Sequence, residues 1–266
     1  MGTHRKRIHG WRKVAGASWG APTDPQFFGD LDIDAQALLD LQQRLRDEQG
    51  THVTLTHLVG RAVAHGLTQV PSLRVRVAFG REHPRETIDV FFIVATDEGR
   101  DLTGVKVSRA DEKSVVDIAR ELDARRAAIS SGGDAAFGRS KKMFDVLPSR
   151  VLRGALRLGA RLTSDLGVDL RALGMPREAF GSAMVTSVGM WGVTRAYAPL
   201  ASYYRVPVLV CVGAVGERPV SVQGQVVSRP MFTATATFDH RLVDGYQAAR
   251  FAAAVQEYFR DPQRYE

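Results

Sequence analysis

The stretch that runs from residue 231 to residue 245 limits the possible folds of this chain more than any other. Residues 231–238 alternate small or apolar side chains with threonines, which is the period-two pattern of a β-strand. The pattern runs directly into residues 240–245, His-Arg-Leu-Val-Asp-Gly, ahead of an apolar C-terminal segment. The sequence therefore predicts a strand that ends at a histidine, followed by a tight Asp-Gly corner.

The histidine in this corner is a candidate for proton-transfer chemistry. His240 is the only histidine after His83. An imidazole, whose ordinary pKa lies near ~6.5, can take and return a proton at neutral pH, so we expect His240 to act as a general base. Asp244 is then its organiser and not a second base. Taken alone, Asp244 followed by Gly245 also fits a helix cap and a turn.

Strand and helix patterns interleave along the rest of the chain. Leucines at helical spacing predict a helix over residues 34–49, ended by Gly50, and amphipathic patterns predict helices over 55–70 and 114–130. Strand patterns cover residues 73–79, 88–96 and 102–107. We therefore predict an α/β (α+β) fold. The length of 266 residues and the apolar content of 44% suit a single domain over 1–266, with a basic flexible lead at 1–20.

Composition narrows the classes of partner and ligand. The net charge of +7 reflects 36 basic and 29 acidic residues spread along the chain, with no nucleic-acid-binding signature, so we expect no nucleic-acid partner. The single cysteine, Cys211, lies in the apolar run 208–212 and reads as a buried structural thiol, with a nucleophile as the alternative. The spacing of His52, His57 and His65 fits no metal motif, so no metal is expected. An amino terminus without an apolar stretch predicts a cytoplasmic protein.

Four segments together point to a known family. These are residues 238–245 (Phe-Asp-His-Arg-Leu-Val-Asp-Gly), 181–192 with its Ser-Val-Gly-Met-Trp-Gly end, 208–213 followed by Arg218-Pro219, and 53–59. They occur along the chain in the family's order, and together they resemble the acyltransferase component of 2-oxo acid dehydrogenase complexes, whose fold is that of chloramphenicol acetyltransferase. The resemblance covers roughly residues 5–133 and 180–260. It implies a mixed central sheet flanked by helices.

The resemblance also implies roles for particular residues. His240 would deprotonate a thiol, and the thiolate would attack the thioester of an acyl-coenzyme A. The hydroxyl of Thr186, with Ser187 as the fallback, would donate to the oxyanion of the tetrahedral intermediate. Asp244 would hold Arg241 and the local backbone, while Gly245 would open the turn into the last helix.

The family forms trimers in which the histidine of one subunit faces the hydroxyl of the next. A homotrimer with its active site between subunits is thus implied. Coenzyme A is the implied substrate, and a lipoyl group would come in trans from a dehydrogenase-complex or other lipoyl-carrying partner, because this chain shows no lipoyl domain. A noncatalytic trimeric scaffold that binds such partners is the alternative function. The polar tail of the chain favours trimers over a larger cage.

A family-atypical helical insertion is predicted at residues 134–180. Within it, residues 147–162 place Arg150, Arg153, Arg157 and Arg161 on one helical stripe and apolar side chains on another. Such a helix can cover part of its own subunit, dock a partner protein or lie on an anionic membrane. The covering role is the one we expect, because the stripe is short and continues into further apolar residues. Membrane contact is not expected.

Overall fold

A computed structural model describes residues 25–79, 81–96, 101–130, 147–170 and 176–266. The basic lead predicted at residues 1–20 lies outside these ranges, as do residues 134–146 and 171–175 of the predicted insertion. Within the described ranges, no helix has both the length and the apolar character that a membrane crossing requires. The strands are β1 (Gln26–Asp34), β2 (Val75–Ala78), β3 (Arg81–Pro84), β4 (Val90–Thr96), β5 (Asp101–Val107), β6 (Ala183–Ser187), β7 (Val208–Val212), β8 (Gly216–Val222) and β9 (Gln225–Asp239); the α-helices are α1 (Gln36–Gln49), α2 (Leu55–Gln69), α3 (Val115–Ser130), α4 (Ser149–Ala160) and α5 (Gly245–Arg260).

A mixed sheet in the order β1-β9-β7-β6-β4-β5 forms the centre of the molecule. Strand β6 runs parallel to β4 and β7, while the remaining neighbours are antiparallel, and β8 extends the sheet by pairing with β9. Strands β2 and β3 form a separate hairpin. The mixed α/β architecture predicted from the sequence is confirmed.

The main core lies between one face of this sheet and four helices. Helices α1, α2, α3 and α5 bury apolar side chains, among them Leu41, Leu58, Ile118 and Phe251, against strand residues such as Val210. The opposite face is covered by a second cluster, in which Tyr204 packs with Met184 and Leu209. Burial of apolar surface on both faces makes the sheet a rigid platform for residues at its edges.

The observed elements correct several boundaries. Strand β1 begins at Gln26, although the sequence analysis predicted no strand there and started the first helix at Asp34. Strands β3 and β8 were also not predicted, and β9 begins at Gln225, well before the alternating run. In each case the strand carries exposed or charged side chains, so a search for extended apolar periodicity does not detect it.

The insertion contains the predicted helix, which is α4. After Ala160 the chain continues in a π-helical turn over Arg161–Asp165, where the sequence pattern predicted α-helix to residue 162. Leu152, Gly159 and Ala160 of this helix are buried, so it does cover part of its own subunit. Val151 and Leu158 are nevertheless 52% and 57% exposed, so the covering role accounts for only part of its apolar surface.

Candidate active site

The end of β9 is shaped by a tight turn that is closed by its own backbone. The carbonyl oxygen of Asp239 accepts hydrogen bonds from the backbone N–H groups of Leu242 and Val243, both at 3.0 Å. Its carboxylate accepts the backbone N–H of Arg241 at 3.0 Å and the guanidinium Nε at 2.9 Å. Because one aspartate caps the turn through both its main chain and its side chain, the turn is held in a defined conformation.

This turn fixes the orientation of the His240 ring. Nδ1 of His240 lies 2.9 Å from the carbonyl oxygen of Val243. A carbonyl oxygen can only accept a hydrogen bond, so in the neutral imidazole Nδ1 carries the proton and Nε2 keeps its lone pair. The ring also packs against Phe27, with centroids 4.9 Å apart, and the backbone N–H of His240 donates to Pro25 at 2.9 Å. His240 is exposed, so a substrate can approach it.

Asp244 and Arg241 have partners other than each other. The Asp244 carboxylate accepts the backbone N–H groups of Tyr246 at 2.8 Å and Gln247 at 3.4 Å, and the backbone N–H of Asp244 donates to the side-chain Oε1 of Gln247 at 3.0 Å. Asp244 is therefore the N-cap of α5, which Gly245 begins. Arg241 forms its ion pair with Asp239, at 2.5 Å. The expected pairing of Arg241 with Asp244 is wrong, because the turn brings the preceding aspartate to the guanidinium.

Thr186 and Ser187 lie at the end of β6. Val185 belongs to the core on the helix side of the sheet, so by alternation Thr186 faces the opposite side, where it is half-buried. The Ser187 hydroxyl donates to the Val212 carbonyl at 3.4 Å and accepts the backbone N–H of Gly189 at the same distance. Among the described residues, the Thr186 hydroxyl has no hydrogen-bond partner.

The sheet register separates Thr186 from His240 within one chain. Thr186 is aligned with Cys211 of β7, and Cys211 is aligned with Thr235 of β9. His240 follows Thr235 by five positions, which corresponds to about 17 Å along the strand, and two strand spacings add about 10 Å across the sheet. The two candidate residues therefore lie at different ends of the sheet, too far apart to act on one atom.

The end of the sheet near Thr186 has its own polar crevice. Thr194, Arg195, Arg218 and Thr233 line a cavity of ≈ 250 Å³. Asp32 accepts the Thr233 hydroxyl at 2.6 Å and lies 3.0 Å from a guanidinium nitrogen of Arg218. The hydrogen bond from Thr233, together with the charges of Arg195 and Arg218, lowers the pKa of the Asp32 carboxyl.

Large apolar side chains are exposed beside the end of β6 and also, through Phe28, which is aligned with Thr237, nearer the His240 end of β9. Met190 is 70% exposed and Trp191 is 47% exposed, in the short helical turn that follows β6. Phe28 and Tyr197 pack edge to face at 5.7 Å and are also largely exposed. Contiguous exposed apolar residues of this kind mark interaction surfaces.

The other residues singled out in the sequence are structural. Cys211 is buried in β7, and burial raises the pKa of its thiol to about 11, so the structural interpretation is confirmed. His57 accepts the backbone N–H of Thr54 through Nδ1 at 3.2 Å in the capping box of α2, and burial lowers its pKa to about 4. Within the described ranges, no group of three or more His, Cys, Asp or Glu side chains is arranged to hold a metal ion.

Three contributors to the site were not identified from the sequence. Asp239 belongs to the histidine motif, but the sequence assigned no role to it. Val243 acts through a backbone oxygen, which no side-chain pattern reveals. Phe27 lies on strand β1, which was not predicted. The alternation of Leu31 and Ile33 with acidic residues was a usable signal for that strand.

Comparison with known proteins gives a consistent set of similarities. The family model described as 2-oxoacid dehydrogenases acyltransferase (catalytic domain) matches residues 6–132 and 176–265. The mitochondrial dihydrolipoyllysine-residue succinyltransferase component of the Saccharomyces cerevisiae 2-oxoglutarate dehydrogenase complex is 27% identical over 237 residues, which are 88% of this chain and 42% of that protein. The chain thus spans less than half the length of this relative, and the same holds for relatives from Bartonella vinsonii and Staphylococcus aureus.

Solved structures share the fold at low sequence identity. Dihydrolipoamide acetyltransferase from Azotobacter vinelandii superposes with a TM-score of 0.71 at 17% identity, covering 99% of this chain and 94% of that one. In that enzyme a serine, a histidine and an asparagine four positions after the histidine were investigated for their role in the catalytic mechanism. A chloramphenicol acetyltransferase superposes with a TM-score of 0.52 at 13% identity, covering 89% of each chain. These structures confirm the predicted fold.

Proposed function

This chain belongs to the family of 2-oxoacid dehydrogenase acyltransferase catalytic domains, and we propose that it transfers an acyl group between coenzyme A and a thiol of the lipoyl type or another acceptor, with His240 as general base. The observation that carries the proposal is the hydrogen bond from Nδ1 of His240 to the Val243 carbonyl. It leaves Nε2 as the only proton acceptor on an exposed imidazole, which is what removal of a thiol proton requires.

The chemical steps follow from this tautomer. Nε2 of His240 takes the proton of the attacking thiol, whose ordinary pKa of about 8.5 keeps it mostly protonated at neutral pH. The thiolate adds to the thioester carbonyl, and the tetrahedral intermediate carries the negative charge on its oxygen. When the intermediate collapses, the carbon–sulfur bond to the leaving thiol breaks, and the imidazolium returns its proton to that thiolate. The acyl group has then moved from one sulfur to the other.

Thr186 is the hydroxyl that we assign to the oxyanion. Its hydroxyl has no partner among the described residues, whereas the hydroxyl of Ser187 bonds the backbone of Val212 and Gly189. A free donor fits a negative charge that develops only as the tetrahedral intermediate forms. The enzyme from Azotobacter vinelandii offers a parallel, since its investigated residues include a serine and a histidine. Asp244 lies four positions after His240, which is the spacing between the histidine and the asparagine investigated in that enzyme.

The distance between Thr186 and His240 requires that the site be completed by a second copy of the chain. We therefore place the active site between subunits of a cyclic homotrimer. In this trimer the end of the sheet that carries His240 in one copy faces the end that carries Thr186 in the next copy. The exposed apolar residues near Thr186, including Met190 and Trp191, support this assembly because they would be covered by the neighbouring subunit. Dehydrogenase-complex partners and a lipoyl group supplied in trans belong to the same proposal.

Subunit complementation tests the shared site. Co-expression of His240→Ala and Thr186→Val chains, each inactive alone, gives mixed trimers in which random assembly forms about a quarter of sites with both residues intact. We expect the mixture to recover about a quarter of the wild-type acyl-transfer rate. As the control, trimers that contain only His240→Ala chains should recover none of the acyl-transfer activity. If mixed trimers assemble and stay inactive, His240 and Thr186 do not act across subunits.

A further inference from the structure

The insertion helix α4 presents two parallel exposed stripes that the catalytic fold does not use. Val151, Ala155 and Leu158 recur at helical spacing on one exposed stripe, which continues into Leu166, 60% exposed, beyond the π-helical turn. Arg150, Arg157 and Arg161 form a second exposed stripe beside it. The third side of the helix, with Leu152, Gly159 and Ala160, is buried against the body.

A salt bridge anchors the C-terminal end of this helical segment to the body of the protein. The carboxylate of Asp165, at the end of the π-helical turn, accepts two hydrogen bonds of 3.0 Å from the guanidinium of Arg205. The Thr163 hydroxyl, which is buried, donates to the Gly159 carbonyl at 2.9 Å. Burial of Leu152, Gly159 and Ala160, together with the Asp165–Arg205 pair, keeps this face of the helix against the body, so the two exposed stripes face outward.

The surface of α4 lies outside the sequence match to the family. The family model matches residues up to 132 and again from 176, so the whole of α4 lies in the unmatched segment. A role for α4 can therefore be tested independently of acyl transfer.

We propose that α4 binds the surface of an anionic lipid bilayer, with its apolar stripe at the level of the upper acyl chains and its arginines among the headgroups. Charge complementarity selects this occupant. The arginine stripe carries positive charge along the length of the helix, which an anionic surface complements. The chain as a whole carries a net charge of +7. A helix with separate basic and apolar faces lies in the plane of such an interface, and it does not span it. The sequence predicts no membrane contact because the apolar stripe is expected to be covered by the rest of the subunit. In the structure Val151 and Leu158 are exposed, so this stripe is not covered.

Vesicle co-sedimentation tests the proposal with the whole chain. The probes are vesicles of phosphatidylcholine mixed with phosphatidylglycerol, and vesicles of phosphatidylcholine alone. We expect the protein to sediment with the anionic vesicles and to remain in solution with the neutral ones. An Arg157→Gln/Arg161→Gln variant should bind anionic vesicles roughly twenty-fold more weakly, since each arginine near the surface contributes about fivefold. A Val151→Gln/Leu158→Gln variant should lose about tenfold.

Matched controls separate α4 from general charge. Arg46→Gln/Arg126→Gln removes the same charge from the exposed surfaces of α1 and α3, and Val226→Gln replaces a valine that is 77% exposed on β9. Both controls should bind anionic vesicles like the wild type. Failure of the wild type to bind them overturns the proposal and leaves the stripe to a protein partner. Equal losses in the α4 variants and in the controls overturn it as well, because binding would then follow net charge alone.

Discussion

Asp239 should control the activity of His240 without touching the substrate. Its carboxylate holds Arg241 through the backbone N–H and the guanidinium, and its carbonyl oxygen holds Leu242 and Val243. Together these bonds place the Val243 oxygen at Nδ1 of His240. An Asp239→Asn substitution keeps the size of the side chain and the backbone bonds but removes the charge that binds the guanidinium.

The magnitude follows from the exposure of the pair. The side chain of Asp239 is 12% exposed and that of Arg241 is 43% exposed, so solvent screens part of the interaction. The substitution should lower the free energy that stabilises the observed turn conformation by about 1 to 2 kcal/mol. If that restraint is what holds the productive tautomer and ring orientation, kcat falls roughly 5- to 30-fold. KM for acyl-coenzyme A should change little, because no binding contact is removed.

The assay is steady-state acyl transfer from acetyl-coenzyme A to dihydrolipoamide, with kcat and KM determined separately. Glu121→Gln is the matched control, because Glu121 on α3 pairs with Lys113 and Arg125 away from the site. An Asp239→Asn enzyme that folds and keeps the wild-type kcat would refute the positioning argument. A loss confined to KM would also contradict it, since it would place Asp239 in substrate binding.

Three further predictions concern the oxyanion donor, a buried histidine and the thiol. Thr186→Val should lower kcat by about 10²- to 10³-fold, as measured by the same transfer assay, while Thr186→Ser keeps the hydroxyl and most of the activity. The folded-state pKa of His57, about 4, lies below the ordinary value of 6.5, so its contribution is fully present above pH 6.5 and is lost as the pH falls towards 4, by up to about 3 kcal/mol. Thermal unfolding at pH 8 and pH 5 should show this acid loss in the wild type, and a His57→Gln variant, whose amide can still accept the Thr54 N–H, should show much less of it. Cys211, with its raised pKa of about 11, should resist alkylation by iodoacetamide at pH 8 until the protein is unfolded, and rapid labelling of the native protein would contradict its burial.

The sequence predicted the parts of the fold in which burial sets a periodic pattern. Helix α2 and the alternating part of β9 lie where they were expected, because their apolar residues repeat at the period of the element that buries them. Strand β1 carries a period-two signal, in which Leu31 and Ile33 alternate with Asp30, Asp32 and Asp34, but this short run was overlooked beside the helical leucine pattern that follows it. Long-range pairing with β9, which fixes β1, is not encoded in any local window.

The candidate site, like the fold, could be predicted from the sequence only in part. The motif identified His240 and Asp244, but not the backbone acceptor that sets the tautomer, because Val243 acts through its carbonyl and any residue type offers one. The partner of Arg241 was misassigned because aspartates stand on both sides of it, at 239 and 244, and only the conformation of the turn decides between them. The separation of Thr186 from His240 follows from strand register, which the sequence did not reveal.

His240 is proposed as the general base of an acyl transfer. The most direct test follows transfer from acetyl- and longer acyl-coenzyme A to dihydrolipoamide by the wild-type protein and its His240→Ala variant, with trimer assembly and folding checked for both. We expect measurable transfer by the wild type and a fall of about a hundredfold or more in the variant. A wild-type trimer without activity would favour the noncatalytic scaffold, and an active variant would contradict the role of His240.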